Sequence, residues 1–328
     1  MDYKARKATL ARAAAMPPRC ESLVAKLRRS GVDVPRYSML VPLPGDANSE
    51  SLLGLDWSQI PAAATIQGAS LPPNRCARKQ LQVENMVMFV KRLIRLHTAR
   101  EEKKPLRIVE FCSGSASVSL PLAYLYPEHT FFAVDNKMAS LSMARRRAED
   151  SGLENFIVKD LCIDEFNQEF DIGVALHACG GLSDVVIDKA TTVQASFLIC
   201  SCCVGKVVAR RQVPSSKTFT DALDGNDFCA LIKAADFGHS DLHSYNETER
   251  QRRLCKLFVE KDRLLAVDEK DPRGWHTFLA IMQGGETSVK NDLLVGIAPG
   301  VVSNREEAGI EGEQRDAEEL LFFGGLKG

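Results

Sequence analysis

At 328 residues, with 45% hydrophobic and 26% charged side chains, the chain can bury one large core, or one core plus a smaller appendage. No apolar run reaches the ~20 residues that cross a bilayer. Ten irregularly spaced cysteines do not make a disulfide framework, so reduced thiols in a cytoplasmic or nuclear compartment are expected.

The net charge of −1 hides a gradient. Residues 1–104 carry 18 basic against 9 acidic side chains, residues 105–299 carry 21 against 27, and residues 300–328 carry 3 against 7. Residues 1–75 therefore read as a basic, partly irregular N-terminal extension. It holds one helix near 18–30, then turn-rich chain with Trp57 and Ile60 as packing anchors. The Arg- and Ala-rich start keeps a transit peptide in view, against which stand Asp2 and a weak apolar face. A basic arm on a mildly acidic body suits a polyanion such as RNA, or is simply solvated.

From Cys76 to Thr98, Leu81, Met86, Phe89, Val90, Leu93 and Ile94 recur at helical spacing, and "TAREEKKP" closes the helix. After Pro105 the pattern changes. Strands at 106–111, 130–136, 155–160, 170–177 and 195–201 alternate with helices at 115–126, 137–151 and 182–194. Helices at 220–236 and 246–267 and strands at 275–282 and 292–298 complete a domain over 76–299. This alternation predicts an α/β fold with a Rossmann-like, doubly wound, mostly parallel seven-stranded sheet. Residues 300–328 read as an acidic tail with a short helix around 312–323. Its Leu320, Leu321, Phe322 and Phe323 are placed to dock on the body or on a protein partner.

The first strand of this domain ends in Glu110, then Cys112, Ser113, Gly114, Ser115 and Ala116 lead into a helix. An acid at a strand end before a small-residue turn is how doubly wound folds approach a nucleotide. About twenty residues later Asp135 ends the second strand, where an acid accepts from ribose hydroxyls. Asp160, ending the third, is placed to meet an adenine edge. The dinucleotide fingerprint wants three glycines, and this turn has one. The ordered acids instead describe a pocket for S-adenosylmethionine, which carries a sulfonium, an ammonium and a ribose but no phosphate.

"VEFCSGSASVSLPLAYLYP", "FDIGVALHACGGLSD" and "SFLICSCCVGK" resemble the methyltransferase domain of the glutathione S-transferase C-terminal domain-containing family and related methyltransferase-like proteins. More distantly they are similar to eukaryotic tRNA 2′-O-methyltransferases, which share an H-x-C-G and paired-cysteine pattern. The resemblance runs from "RKQLQVEN" (78–85) to "KNDLLVG" (290–296), through "RLCKLFVEKDR" (253–263). It implies a class I methyltransferase whose cofactor pocket holds Glu110, Cys112, Gly114, Asp135 and Asp160, with Asn136, Leu161 and His177 beside them. His177 and Cys179 would border the reaction centre. Ala116 departs from the family's usual glycine, and no glutathione transferase pattern precedes residue 76.

His177 stands at the end of the fourth strand of the domain, where such sheets place acceptors, and its imidazole suits a base or an orienting group. The competing reading is a packed histidine satisfied by backbone carbonyls. Cys179, Cys200, Cys202 and Cys203 have poor spacing for zinc, so buried thiols are expected and no metal. Lys206, Arg210 and Arg211 follow the fifth strand of the domain, on the rim where RNA phosphates would enter, or in a solvated loop. RNA is the favoured acceptor, protein the rival, and a non-catalytic cofactor-binding module the third reading.

Overall fold

A computed structural model describes residues 16–38, 55–69, 71–99, 104–201, 203–236, 247–282, 291–303 and 315–316. The expectations for residues 1–15 and Cys202 lie outside them; of the tail helix expected around 312–323 only 315–316 are described, and they form a short strand paired with Arg36–Tyr37 instead.

In chain order come α1 (Met16–Arg29), β1 (Arg36–Tyr37), α2 (Pro73–Thr98), β2 (Arg107–Phe111), α3 (Ser119–Leu125), β3 (Thr130–Asp135), α4 (Met138–Asp150) and β4 (Phe156–Asp160). There follow β5 (Ile172–Leu176), α5 (Leu182–Val193), β6 (Ser196–Cys200), α6 (Lys217–Ala222), α7 (Gly225–Ala235), α8 (Glu247–Lys270), β7 (His276–Ile281), β8 (Asp292–Ile297) and β9 (Arg315–Asp316).

One sheet runs β4-β3-β2-β5-β6-β8-β7-β1-β9. β2 to β6 are mutually parallel, and β8 lies antiparallel to both β6 and β7. The seven expected strands form it, and two two-residue strands lengthen its β7 edge. β5, β6 and β8 are buried along their whole length, which is why they read as unbroken apolar runs. The chain order reverses between β2 and β5, so a crevice opens at the carboxyl ends of these strands.

α2 packs across β5 and β6 and runs against their direction. Gln82 near its start reaches His177 after β5, while His97 near its end meets Ser196 Oγ at the start of β6 at 2.9 Å. One helix thus runs from the carboxyl to the amino ends of the central strands, roughly 22 Å apart at 1.5 Å per residue.

Two expectations are corrected. The helix expected over 220–236 is broken at Leu223: Asp224 takes an extended backbone and its side chain caps α7 by accepting from Asp227 N at 2.8 Å. The leader is also more than an arm. α1 buries Cys20, Leu23, Val24 and Leu27 in a second apolar cluster with Phe219, Phe228, Leu231 and Phe258, and Lys26 pairs with Asp227.

Candidate active site

β2 runs into a turn in which Cys112 (φ 53°), Gly114 (φ 55°) and Ala116 (φ 59°) all adopt the left-handed conformation. The backbone therefore takes the shape of a three-glycine loop although only one glycine is present. A left-handed non-glycine residue costs roughly 1–2 kcal/mol. Among the described residues four non-glycines pay that cost: these two, His177 (φ 72°) and the helix-capping Gln194. Three of the four meet at the carboxyl ends of β2 and β5, so backbone strain concentrates at the crevice.

Each predicted cofactor residue has a definite position. Gly114 N donates to Asp135 Oδ2 at 2.9 Å, and Lys137 N donates to Asp135 Oδ1 at 2.9 Å. Asp135 thereby ties the turn to the end of β3. Asp160 faces Asp135 across the β3–β4 pair and is exposed. Leu161 N donates to Asp135 O at 3.2 Å, and Asn136 Nδ2 donates to Cys162 Sγ at 3.5 Å. Glu110 differs from expectation. It is buried, and its Oε2 accepts from both Ser119 N (2.9 Å) and Ser119 Oγ (2.5 Å), so it anchors the start of α3 and does not stand in the open crevice. Burial pushes its carboxyl up against the opposing pull of Ser119 and Lys79. Burial, with Asp135 and Cys179 nearby, pushes the Cys112 thiol up to about 12.

The residues present fit an adenosyl sulfonium ligand. A Cβ built on Gly114 meets nothing within 4 Å, so space is open above the turn. In the same turn Ser113 Oγ is buried without a hydrogen-bond partner. Asp135 and Asp160 stand side by side where a ribose and a base would lie.

On the acceptor side His177 N donates to Cys200 O at 3.1 Å, and Nε2 lies 3.1 Å from Gln82 Oε1. An amide oxygen only accepts, so Nε2 carries the proton and Nδ1 is the basic nitrogen. Cys179 Sγ donates to His177 O at 3.4 Å. At Gly180 (φ 59°) a Cβ would lie 2.6 Å from Lys206 Cβ, so only glycine lets the segment after β6 close over this turn. Gly180 N donates to Cys203 O at 2.8 Å, and Gly180 O accepts from Arg263 Nη2 at 2.8 Å.

The expected cationic rim is corrected at Arg211. Its guanidinium bonds Asp262 at 3.0 Å, approaches Asp184 at 3.3 Å and lies over the Phe228 ring, so it is structural. Arg210 folds across Gly181 and forks onto Asp164 at 3.0 and 3.2 Å. Lys206 is exposed. Behind the rim, α8 turns Arg253, Lys256, Glu260 and Arg263 inward at helical spacing. They join Asp292, at the start of β8, to Asp184 through alternating charges. Burial alone would raise Asp292; Arg253 and Lys256 outweigh it and hold its carboxyl at about 2. Among the described residues no group of three or more His, Cys, Asp or Glu is arranged to hold a metal ion.

Sequence reasoning missed Gln82, Ser113 and Arg263. Gln82 had a readable signal, a polar residue among the apolar positions Val83, Met86 and Val90 of α2. Ser113 was visible only as one of the small residues of the turn, and Arg263 carried no signal.

Residues 78–211 match the model of a methyltransferase domain family. The chain is 32% identical over 249 residues to the glutathione S-transferase C-terminal domain-containing protein of Bos taurus, covering 74% of this chain and 37% of that protein. It is 33% identical over 259 residues to the Drosophila melanogaster homolog, covering 76% of this chain and 42% of the homolog. It thus spans about two fifths of the length of these curated relatives. A solved SAM dependent methyltransferase from Aquifex aeolicus superposes with a TM-score of 0.40 and 11% identity, over 74% of this chain and 97% of its own. Among the described residues no helix is long and apolar enough to cross a membrane.

Proposed function

We propose that the chain is an S-adenosylmethionine-dependent methyltransferase acting on RNA, with the acceptor delivered to His177. The observation that carries this reading is the left-handed turn at Cys112, Gly114 and Ala116, tied to Asp135 and opening beside His177. A cytoplasmic or nuclear setting, which keeps ten cysteines reduced, suits it.

When bound, S-adenosylmethionine supplies an electrophilic methyl group on a sulfonium. The chain's own residues do the rest. Backbone groups of 112–116 would cradle the amino-acid end. Asp135 already accepts two backbone N–H groups and retains lone pairs for ribose hydroxyls. Asp160, Asn136 and Leu161 would border the base. Gln82 holds Nε2 of His177 and orients the imidazole, which would receive the proton an acceptor hydroxyl loses as its oxygen bonds to the methyl carbon and the sulfonium leaves as a thioether. Cys179 braces the backbone of that histidine. Lys206 would meet a phosphate of the incoming RNA, a role Arg211 cannot share.

The test is transfer of labelled methyl groups to total RNA and to total protein, with His177→Gln as control. Label in RNA that vanishes on nuclease treatment and in the variant supports the proposal. Label confined to protein overturns the RNA acceptor, and cofactor binding with no transfer to either pool overturns catalysis.

A further inference from the structure

At the amino ends of the strands, where β2 and β3 begin, lies a cleft of about 640 Å³ that the methyl-transfer reading does not use. Its walls come from the last turns of α2 (Lys91, Arg95), the segment entering β2 (Lys104) and the segment entering β3 (Tyr126, Glu128, His129). Ile94 and Pro105 add an apolar floor. A volume of ~300–1,000 Å³ is what small-molecule sites typically offer.

His129 decides what the cleft asks for. Leu106 N donates to its Nδ1 at 3.4 Å, so Nδ1 is the lone-pair nitrogen and Nε2 carries the hydrogen. That Nε2–H is buried, in a residue 4% exposed, and has no hydrogen-bond partner. The nearest carboxylate oxygen, Glu128 Oε1, stands 3.8 Å away, beyond hydrogen-bond reach. A buried donor left unmade costs ~1–3 kcal/mol, so it calls for an acceptor.

Arg95, in the last turn, complements the negative end of α2, which explains that cation but neither Lys91 nor the orphan donor. Lys104 lies 3.5 Å from Asp171 and is 70% exposed at its side chain. Tyr126 stacks parallel to His129, with ring centroids 5.9 Å apart, and extends a flat apolar wall beside the cations. Among the described lining residues Glu128, 59% exposed, is the one acid, and it would accept from a sugar hydroxyl or base amine.

From this set of groups we infer that the cleft binds a nucleoside phosphate. The phosphate would take the His129 Nε2–H and the Lys91 and Lys104 ammoniums, and the ring would lie along Tyr126 and Pro105. The site is separate from the methyl-donor crevice and does not depend on methyl transfer. Free mononucleotide and a nucleotide within RNA share this chemistry.

The experiment is calorimetric titration of the full chain at low salt with adenosine monophosphate, inorganic phosphate and a ten-nucleotide single-stranded RNA. Each titration is repeated in saturating S-adenosylhomocysteine, which removes the crevice from competition. Saturable nucleotide binding that survives the competitor is expected. Replacing the exposed Lys91→Glu should weaken it about tenfold, as loss of a phosphate contact does. His129→Phe, which keeps the ring packing, should weaken it as well. Equal binding per site for nucleotide and oligomer marks a free-nucleotide site, and much tighter oligomer binding marks an RNA track. No binding, binding abolished by S-adenosylhomocysteine, or binding unchanged in Lys91→Glu and His129→Phe overturns the inference.

Discussion

His177 Nε2 lies 3.1 Å from Gln82 Oε1, a contact between residues 95 positions apart. It joins the end of β5 to the start of α2 and sets which imidazole nitrogen is basic.

Gln82→Leu should therefore lower kcat about tenfold or more while leaving the cofactor Kd within about twofold, because a positioning partner acts on proton transfer. Gln82→Glu should instead favour the imidazolium, raise the histidine pKa and move the acid limb of kcat/KM to higher pH. An unchanged pH profile in both variants would show that the contact has no part in catalysis.

Asp292 ties the ion pairs of α8 to the sheet through Arg253 and Lys256. Its carboxyl, at about 2 in the fold and ~3.9 unfolded, contributes stability that is present above about pH 4. That contribution is lost as pH falls toward 2. Asp292→Asn takes the buried carboxylate from Arg253 and leaves Lys256 with Glu260 alone, and should cost ~3–5 kcal/mol at pH 7 in urea unfolding. The gap to the parent should shrink between pH 4 and 2. A gap independent of pH would contradict the assignment.

Ala116 sits at φ 59° and is fully buried. Ala116→Gly relieves strain but loses a buried methyl, so stability should change by less than ~1 kcal/mol. A β-branched Ala116→Val should cost more than ~2 kcal/mol and abolish cofactor binding. Urea unfolding and calorimetry on the two variants distinguish a strained turn from a relaxed one.

Burial pushes the thiols of Cys112 and Cys200 up to about 12, whereas Cys162 is exposed. Iodoacetamide at pH 8 should therefore alkylate Cys162 well before either, since the thiolate is the reacting form. Peptide mass mapping over time reads the order directly.

The sheet was legible because β5, β6 and β8 are continuous apolar runs and the helices between them keep a 3.6-residue period. The two-residue strands β1 and β9 carry no period to read. The acids of the crevice were legible as strand-end residues, and Asp135 takes that place. Glu110 had the same signature, yet its partner Ser119 lies nine residues on, at the start of α3, and draws it into the core. Arg253, Lys256, Glu260 and Arg263 stand at helical spacing, but composition cannot reveal that each finds an opposite charge in the interior. Arg211 was misread for the same reason. Gln82 was visible as a polar residue on an apolar face, but its meeting with His177 depends on how α2 crosses the sheet.

The proposed methyl-donor pocket consists of the turn at 112–116 and Asp135. The most direct test is calorimetric titration of the chain with S-adenosylmethionine and S-adenosylhomocysteine, beside Asp135→Ala, which removes the acceptor for Gly114 N and Lys137 N. Saturable binding of both ligands that is lost in the variant is the predicted result. No binding at millimolar ligand, or binding undiminished in Asp135→Ala, would contradict it.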